Sequence, residues 1–335
     1  MRRLLVFVLA SAALLAAPAV SSATLVFGKQ PSRGQPSIWS ANDDGSGAVK
    51  LATGYYQPTI SPDGTTVAAL RQTRSGANRL YVLPAAGGAP RRLLGNAGFA
   101  TIAWSPDSST IAAETGRRLM VVNVATGAVA TLATGVFSGS PPSFSPAGDA
   151  LAYSSAVSSR VNAATDVYAI PTAGGAPTRL TTDGQSSSPV WGPTQIAYSR
   201  GPFRRNDAPR LNIWLMNSDG SGQHQLTHVR VPSLLSGLDP LQWSASGNQL
   251  LANFNGQDTS QAFAVNPATG AAKDLGAKPF DGTSAGSISR DGTTVVAQTG
   301  GLEGPDPNQA VVTIPFTGGT PTVLVRRGIT PDWNA

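Results

Sequence analysis

Apolar residues in this chain come in short runs, each cut off by a polar turn, and the runs repeat. One run ends in an aromatic residue or isoleucine and then turns. It reads Pro58-Thr59-Ile60-Ser61-Pro62-Asp63-Gly64, Ile102-Ala103-Trp104-Ser105-Pro106-Asp107, Pro142-Ser143-Phe144-Ser145-Pro146 and Pro189-Val190-Trp191-Gly192-Pro193. It returns as Leu241-Gln242-Trp243-Ser244, Ser287-Ile288-Ser289-Arg290-Asp291-Gly292 and Pro331-Asp332-Trp333-Asn334. The turn position falls at 61, 105, 145, 192, 244, 289 and 334, at spacings of 44, 40, 47, 52, 45 and 45 residues. A second run is a short apolar strand, a Gly-rich turn and a further strand, starting at Ile38, Leu80, Leu119, Val167, Ile213, Ala262 and Val312. Turns such as Asp43-Asp44-Gly45-Ser46-Gly47, Ala86-Gly87-Gly88 and Ala173-Gly174-Gly175 supply the positive φ that joins antiparallel strands. Each repeat is therefore two hairpins, A–turn–B and C–turn–D.

The segments Val67-Ala68, Ile111-Ala112, Leu151-Ala152, Ile196-Ala197, Leu250-Leu251 and Val295-Val296, at the strand B position, are apolar without clean alternation. Burial on both faces explains that, if each sheet is stacked between two neighbours. Four strands of about five residues plus turns fill a period of this length. The expected fold is all-β: a seven-bladed β-propeller of four-stranded antiparallel blades, closed by N- and C-terminal strands in one blade. Thr24 to Lys29 reads as a strand B with no strand A before it, and Pro331 to Asn334 as a strand A with no strand B after it. Joining them removes the free edges of an open array. A single domain over 24–335 follows, with blade 1 at 24–54 plus 329–335 and blades 2–7 at 55–97, 98–136, 137–184, 185–235, 236–280 and 281–328. The column Trp104, Phe144, Trp191, Trp243 and Trp333 is expected to pack between blades, each ring burying about 150–250 Å².

Composition agrees with an all-strand protein. Of 335 residues 37 are Gly and 26 Pro, while Glu occurs only at Glu114 and Glu303. Residues 1–23 read as a secretory signal peptide: Arg2 and Arg3, an uncharged apolar run from Leu4 to Ala17, and small residues Ser21-Ser22-Ala23 before Thr24. That run is too short for a stable membrane span, which needs about 20 residues. Export to a periplasm or the medium, with cleavage near Ala23, is expected. With no cysteine, neither a disulfide nor thiolate chemistry is available. The formal charge is +6, or +4 without Arg2 and Arg3, and lysines are not clustered. A nucleic-acid partner is not expected.

The words Ser61-Pro62-Asp63-Gly64 and Trp104-Ser105-Pro106-Asp107 resemble the WD40-like repeat of the TolB family of propellers. The resemblance spans roughly 55–335 and closes through the N-terminal strand. It implies a secreted or periplasmic protein-binding propeller. TolB itself has six blades and an N-terminal α/β domain, whereas seven words are counted here and only the leader precedes them. The resemblance therefore extends to the propeller and not to a role in the Tol–Pal envelope system.

Reactive chemistry is sparse. His224 and His228 are the only histidines, both in one blade, and make at best half a metal site. A ring of histidines, as in metal-dependent propeller lyases, cannot be built from them. Gly282-Thr283-Ser284-Ala285-Gly286 matches G-x-S-x-G, but that pattern needs a strand before and a helix after, and here it is expected in a loop. The Asp-Gly turns lack the ligand spacing of a calcium loop. No metal and no cofactor are expected. The long loops Ser154–Asp166, Ser199–Asn212, His228–Pro240 and Gln298–Gln309 all fall on the B–C and D–A side, where binding residues concentrate. Arg33 and the candidate binding residues Arg71, Arg74, Arg160, Arg200, Phe203, Arg204, Arg205, Arg210 and Arg230 lie on that loop face, whereas Asp43, Asp44, Asp63, Asp107, Asp149, Asp219 and Asp291 lie on the turn face. Phe203, Arg204 and Arg205, with Leu234, Leu235 and Leu238 in the next loop, form the best candidate patch. The reading is a monomeric, non-enzymatic scaffold binding a protein or peptide through its loop face. The alternative is a hydrolase or lyase acting on glycan, peptide or lactone at the channel mouth.

Overall fold

The computed structural model describes residues 24–95, 101–115, 117–136, 140–156, 158, 163–202, 210–233, 235–256, 259–276, 282–300 and 308–334. Among them are 28 β-strands and no helix. They form seven four-stranded antiparallel blades, ordered A-B-C-D outward from a central axis. The inner strands A are Tyr56–Ile60, Thr101–Trp104, Ser143–Phe144, Ser186–Trp191, Gly237–Trp243 and Thr283–Ile288 in blades 2 to 7, and Ile329–Trp333 in blade 1. A single parallel pairing of Gln261 with Thr283 ties blade 6 to blade 7. The Gly282–Gly286 stretch is thus mostly inner strand rather than loop. Its last residue is glycine because a Cβ there would come within 2.2 Å of the Pro331 carbonyl oxygen in blade 1.

Seven apolar clusters among the described residues each fill one interface between neighbouring blades. Val67 packs toward blade 1, whereas Ala68 beside it packs toward blade 3. Leu250 and Leu251 divide in the same way between blades 5 and 7. Successive side chains of a strand point to opposite faces, so an apolar pair serves two interfaces at once. The inner-strand aromatics Trp104, Phe144, Trp191, Trp243 and Trp333 each join the cluster shared with the preceding blade. Gly192 stands where other copies carry serine because the Trp243 ring lies over it, 2.7 Å from the position of a Cβ.

The A–B turns explain the Ser-Pro-Asp-Gly word. Ser61 Oγ donates to Asp63 Oδ1 (2.5 Å) and accepts from the Thr66 amide (3.0 Å), while Gly64 takes φ +73°. Ser105 with Asp107, Ser145 with Asp149 and Ser289 with Asp291 repeat the serine–aspartate bond. Hydrogen bonds from Ser105, from the Ser109 amide and from the Ser109 hydroxyl hold the Asp107 carboxyl below its usual range, and Ser289 and Thr293 do the same for Asp291. These carboxylates are occupied by their own turns.

The ring closes where its chain ends meet. Ile329–Trp333 pairs antiparallel with Thr24–Lys29, matching Leu25 to Trp333 and Val26 to Asp332. The Thr24 amide donates to Asn334 Oδ1 at 2.6 Å. Trp333 is 8% exposed and packs with Leu25, Phe27, Val296 and Val311. Removing residues 330–335 is expected to lower the thermal midpoint sharply, and Trp333→Ala to cost about 3–5 kcal/mol in denaturant unfolding. An unchanged midpoint after the truncation would refute the latch.

Candidate binding site in the axial channel

An inner strand pairs with strand B on one edge only, so the N–H groups of its other edge need acceptors. The neighbouring blade supplies them through two belts of side chains. At the turn end, Ser143 Oγ accepts from the Trp191 amide (2.9 Å), Gln242 Oε1 from the Ile288 amide (3.0 Å) and Ser287 Oγ from the Trp333 amide (3.1 Å). Asp332 Oδ2 accepts from the Ile60 amide at 3.0 Å, carrying the belt across the latch. Thr59 holds the Trp104 indole N–H in the same way, at 3.1 Å. At the loop end, Ser154 Oγ accepts from the Ser188 amide (2.9 Å), Asn253 Oδ1 from the Ala285 amide (2.9 Å) and Gln298 Oε1 from the Thr330 amide (2.8 Å). In the corresponding place Ser199 Oγ donates to Asp239 Oδ1 at 2.6 Å.

The loop-end donors sit on bulges. Register shifts fall between Tyr56 and Thr59, Ser187 and Val190, Pro240 and Gln242, and Ala285 and Ser287. Gln57, Ser188 and Thr330 adopt left-handed φ of 49°, 51° and 45°, each immediately before a proline. A side chain in that conformation costs about 1–3 kcal/mol, and a β-branched one is a marked outlier. Bulges re-aim side chains, and here they ring the loop-face mouth of the channel.

Inside lies a cavity of about 860 Å³. Its walls combine the Trp104, Phe144, Trp191 and Trp243 rings and a series of prolines with Asp239, Gln242, Asn253 and Asn255. An adjoining pocket of about 390 Å³ at the turn end carries Arg290, Asp332 and Trp333. Burial pushes the Asp332 carboxyl up to about 6, against the opposing pull of the Ile60 amide and the Ser287 hydroxyl. Among the described residues no three His, Cys, Asp or Glu side chains group as metal ligands would. His224 and His228 are exposed, His224 on the outermost strand of blade 5.

Of the expected loop-face residues that are described, Arg71 and Arg74 belong to blade 2 and Arg200, Arg210 and Arg230 to blade 5. Arg71 lies over the Tyr55 ring (5.4 Å), and Arg74 and Arg230 are exposed. Arg200 stacks on Trp214 (4.2 Å) and pairs with Asp183 (3.1 Å), while Arg210 donates to Ser233 Oγ (3.0 Å). Arg160, Phe203, Arg204, Arg205 and Leu234 lie outside the described residues. Leu238 does not belong to a loop patch. It is 0% exposed on inner strand Gly237–Trp243, packed between blades 5 and 6, because its alternation with Asp239 turns it into the interface. The belts and the cavity were missed in the sequence. The signal available was a polar residue recurring three positions after Leu151, Ile196, Leu250 and Val295, in Ser154, Ser199, Asn253 and Gln298.

Seven four-stranded blades around an axis define a β-propeller. Its fold resembles TolB from Acinetobacter baumannii (16% identity, 93% of this chain, 82% of that one, TM-score 0.55). It also resembles an oligogalacturonate lyase from Vibrio parahaemolyticus (14% identity, 91% of this chain, 85% of that one, TM-score 0.60). A third likeness is to the propeller domain of the trilobed protease from Pyrococcus furiosus (12% identity, 91% and 94%, TM-score 0.65). That domain is described as having an open velcro topology, whereas the latch here is closed. At these identities the likeness is one of fold alone. No protein-family profile matches the chain, and no curated protein does.

Asp332 has a pH signature. A carboxyl raised in the folded state binds its proton more tightly than in the unfolded chain, so its contribution to stability is present below pH 4 and lost as pH rises through about 6. The loss is on the order of 2 kcal/mol, allowing for partial exposure to the channel. Asp332→Asn is expected to flatten the decline in midpoint between pH 4 and 7. An identical pH profile in the variant would contradict the assignment.

Proposed function

We propose that this chain is an exported, non-enzymatic propeller that captures a peptide segment of a partner protein at its loop face and axial channel. The observation that carries the reading is the channel cavity, where aromatic rings and prolines meet a few fixed amide, hydroxyl and carboxylate groups. An apolar wall with sparse convergent polar groups is the usual form of a ligand-binding site. Arg71, Arg74 and Arg230 are exposed, and together with Arg160, Phe203, Arg204 and Arg205, which the sequence assigns to the loop face, they support a basic rim for the partner. The expected leader at 1–23 supports delivery outside the cytoplasm. No helix among the described residues is long and apolar enough to cross a membrane.

The test is capture from native envelope or culture medium with immobilised residues 24–335. Arg204→Ala with Arg205→Ala is expected to reduce recovery of a specific partner by roughly tenfold, a loss of about 1.4 kcal/mol. Equal recovery would remove those arginines from the interface, and recovery of no specific partner would end the reading. A second reading, an enzyme at the channel mouth, is favoured by one observation: the Asp332 carboxyl, raised to about 6, has the proton affinity of a general acid. Turnover of oligogalacturonides or peptides by pure protein, abolished in Asp332→Asn, would establish that reading instead.

A further inference from the structure

We propose that the channel cavity contains a cation subsite in which Asp239 receives the guanidinium or ammonium group of an extended peptide while the apolar channel walls receive the body of that peptide. This deepens the peptide-binding reading and rests on it for the nature of the ligand. Asp239 sits on the inner strand of blade 6 and lines the cavity. Both of its oxygens are held by neutral donors, Oδ1 by Ser199 Oγ at 2.6 Å and Oδ2 by Asn255 Nδ2 at 2.8 Å. Asn255 is itself fixed, accepting from Ser260 Oγ at 3.2 Å, and Ser199 is fully buried. The carboxylate is therefore oriented by side chains that do not neutralise it.

Among the described residues, no lysine or arginine lies within ion-pair distance of Asp239. The ion pairs formed there are Arg179 with Asp166 and Arg200 with Asp183. Arg200 follows Ser199 in the chain, yet it is committed to Asp183 and to the Trp214 face. Arg290, the cation of the adjoining pocket, belongs to the turn end, whereas Asp239 lies near the loop-end start of its strand. A carboxylate against an apolar wall is costly unless it is paired, and each of its oxygens keeps a further acceptor site beyond the bond it already has. The rings of Trp191 and Trp243 line the same cavity farther toward the turn end, where they offer an apolar wall to a body that extends along the channel from Asp239. The aspartates of the turn rim, Asp63, Asp107 and Asp291, carry charge of the same sign at the far mouth. The ligand class that meets all of these features is a positively charged side chain or N-terminus with an apolar body.

The experiment uses residues 24–335, with arginine amide as probe and citrulline amide as its neutral counterpart of the same shape. Tryptophan fluorescence and the thermal midpoint are followed during titration. Arginine amide is expected to give a saturable change and a raised midpoint, at an affinity at least roughly tenfold above citrulline amide, weakening with salt. Asp239→Asn, which keeps the bond from Ser199, is expected to make the two probes equivalent. Equal responses of the wild-type protein to both probes would overturn the subsite, and this comparison needs no variant to fold. A preference for arginine amide that survives in Asp239→Asn would overturn it as well. Failure to capture a protein partner, with the arginine preference intact, would instead refute the peptide as ligand and leave the cation subsite standing.

Discussion

Closure is the constraint on which this architecture depends. Each blade buries its two faces against two neighbours, so a missing interface would expose apolar clusters on both sides of the gap. The latch between Thr24–Lys29 and Ile329–Trp333 prevents that by making the first and last strands partners in one sheet. It is reinforced across both neighbouring interfaces. Ser287 of blade 7 holds the Trp333 amide, and Asp332 of blade 1 holds the Ile60 amide of blade 2. Chain ends distant in sequence thereby become the least dispensable part of the ring.

The same belts that fasten the blades also shape the channel. An inner strand has a free edge toward the axis, and leaving its N–H groups bare in an apolar cavity would be costly. Short polar side chains from the next blade satisfy them, and bulges bring those N–H groups within reach. The strain at Gln57, Ser188 and Thr330 is a consequence of that arrangement. It leaves the loop-face mouth lined by groups with set directions, a condition for selective binding that a smooth, regular barrel wall would not provide. Asp239 departs from the pattern: its side chain receives a hydroxyl instead of the strand giving an amide, and so a carboxylate is retained within the channel wall.

Much of the fold was readable in the chain because its signals are local. A turn that needs Ser, Asp and positive φ at Gly64 announces itself wherever it recurs, and paired apolar residues such as Leu250-Leu251 reveal burial on two faces. The partners of the arginines were not readable. Whether Arg200 is free or stacked on Trp214 and paired with Asp183 depends on strands that share no sequence neighbourhood. Leu238 shows the opposite error, since a residue counted with a loop belongs to a strand that begins one residue earlier and faces the core.

The sequence by itself determined the number of repeats, the four-strand unit and the way the ends complete one blade, because periodicity and turn chemistry act over a few residues. Only the tertiary structure decided which polar side chains bridge blades, why glycine stands at 192 and 286, and that Asp239 and Asp332 line the channel. Those outcomes arise where residues some 30 to 50 positions apart, or at opposite ends of the chain, meet across an interface, as Gln242 meets Ile288 and Asp332 meets Ile60. Neither partner carries a mark of the other until the ring has closed.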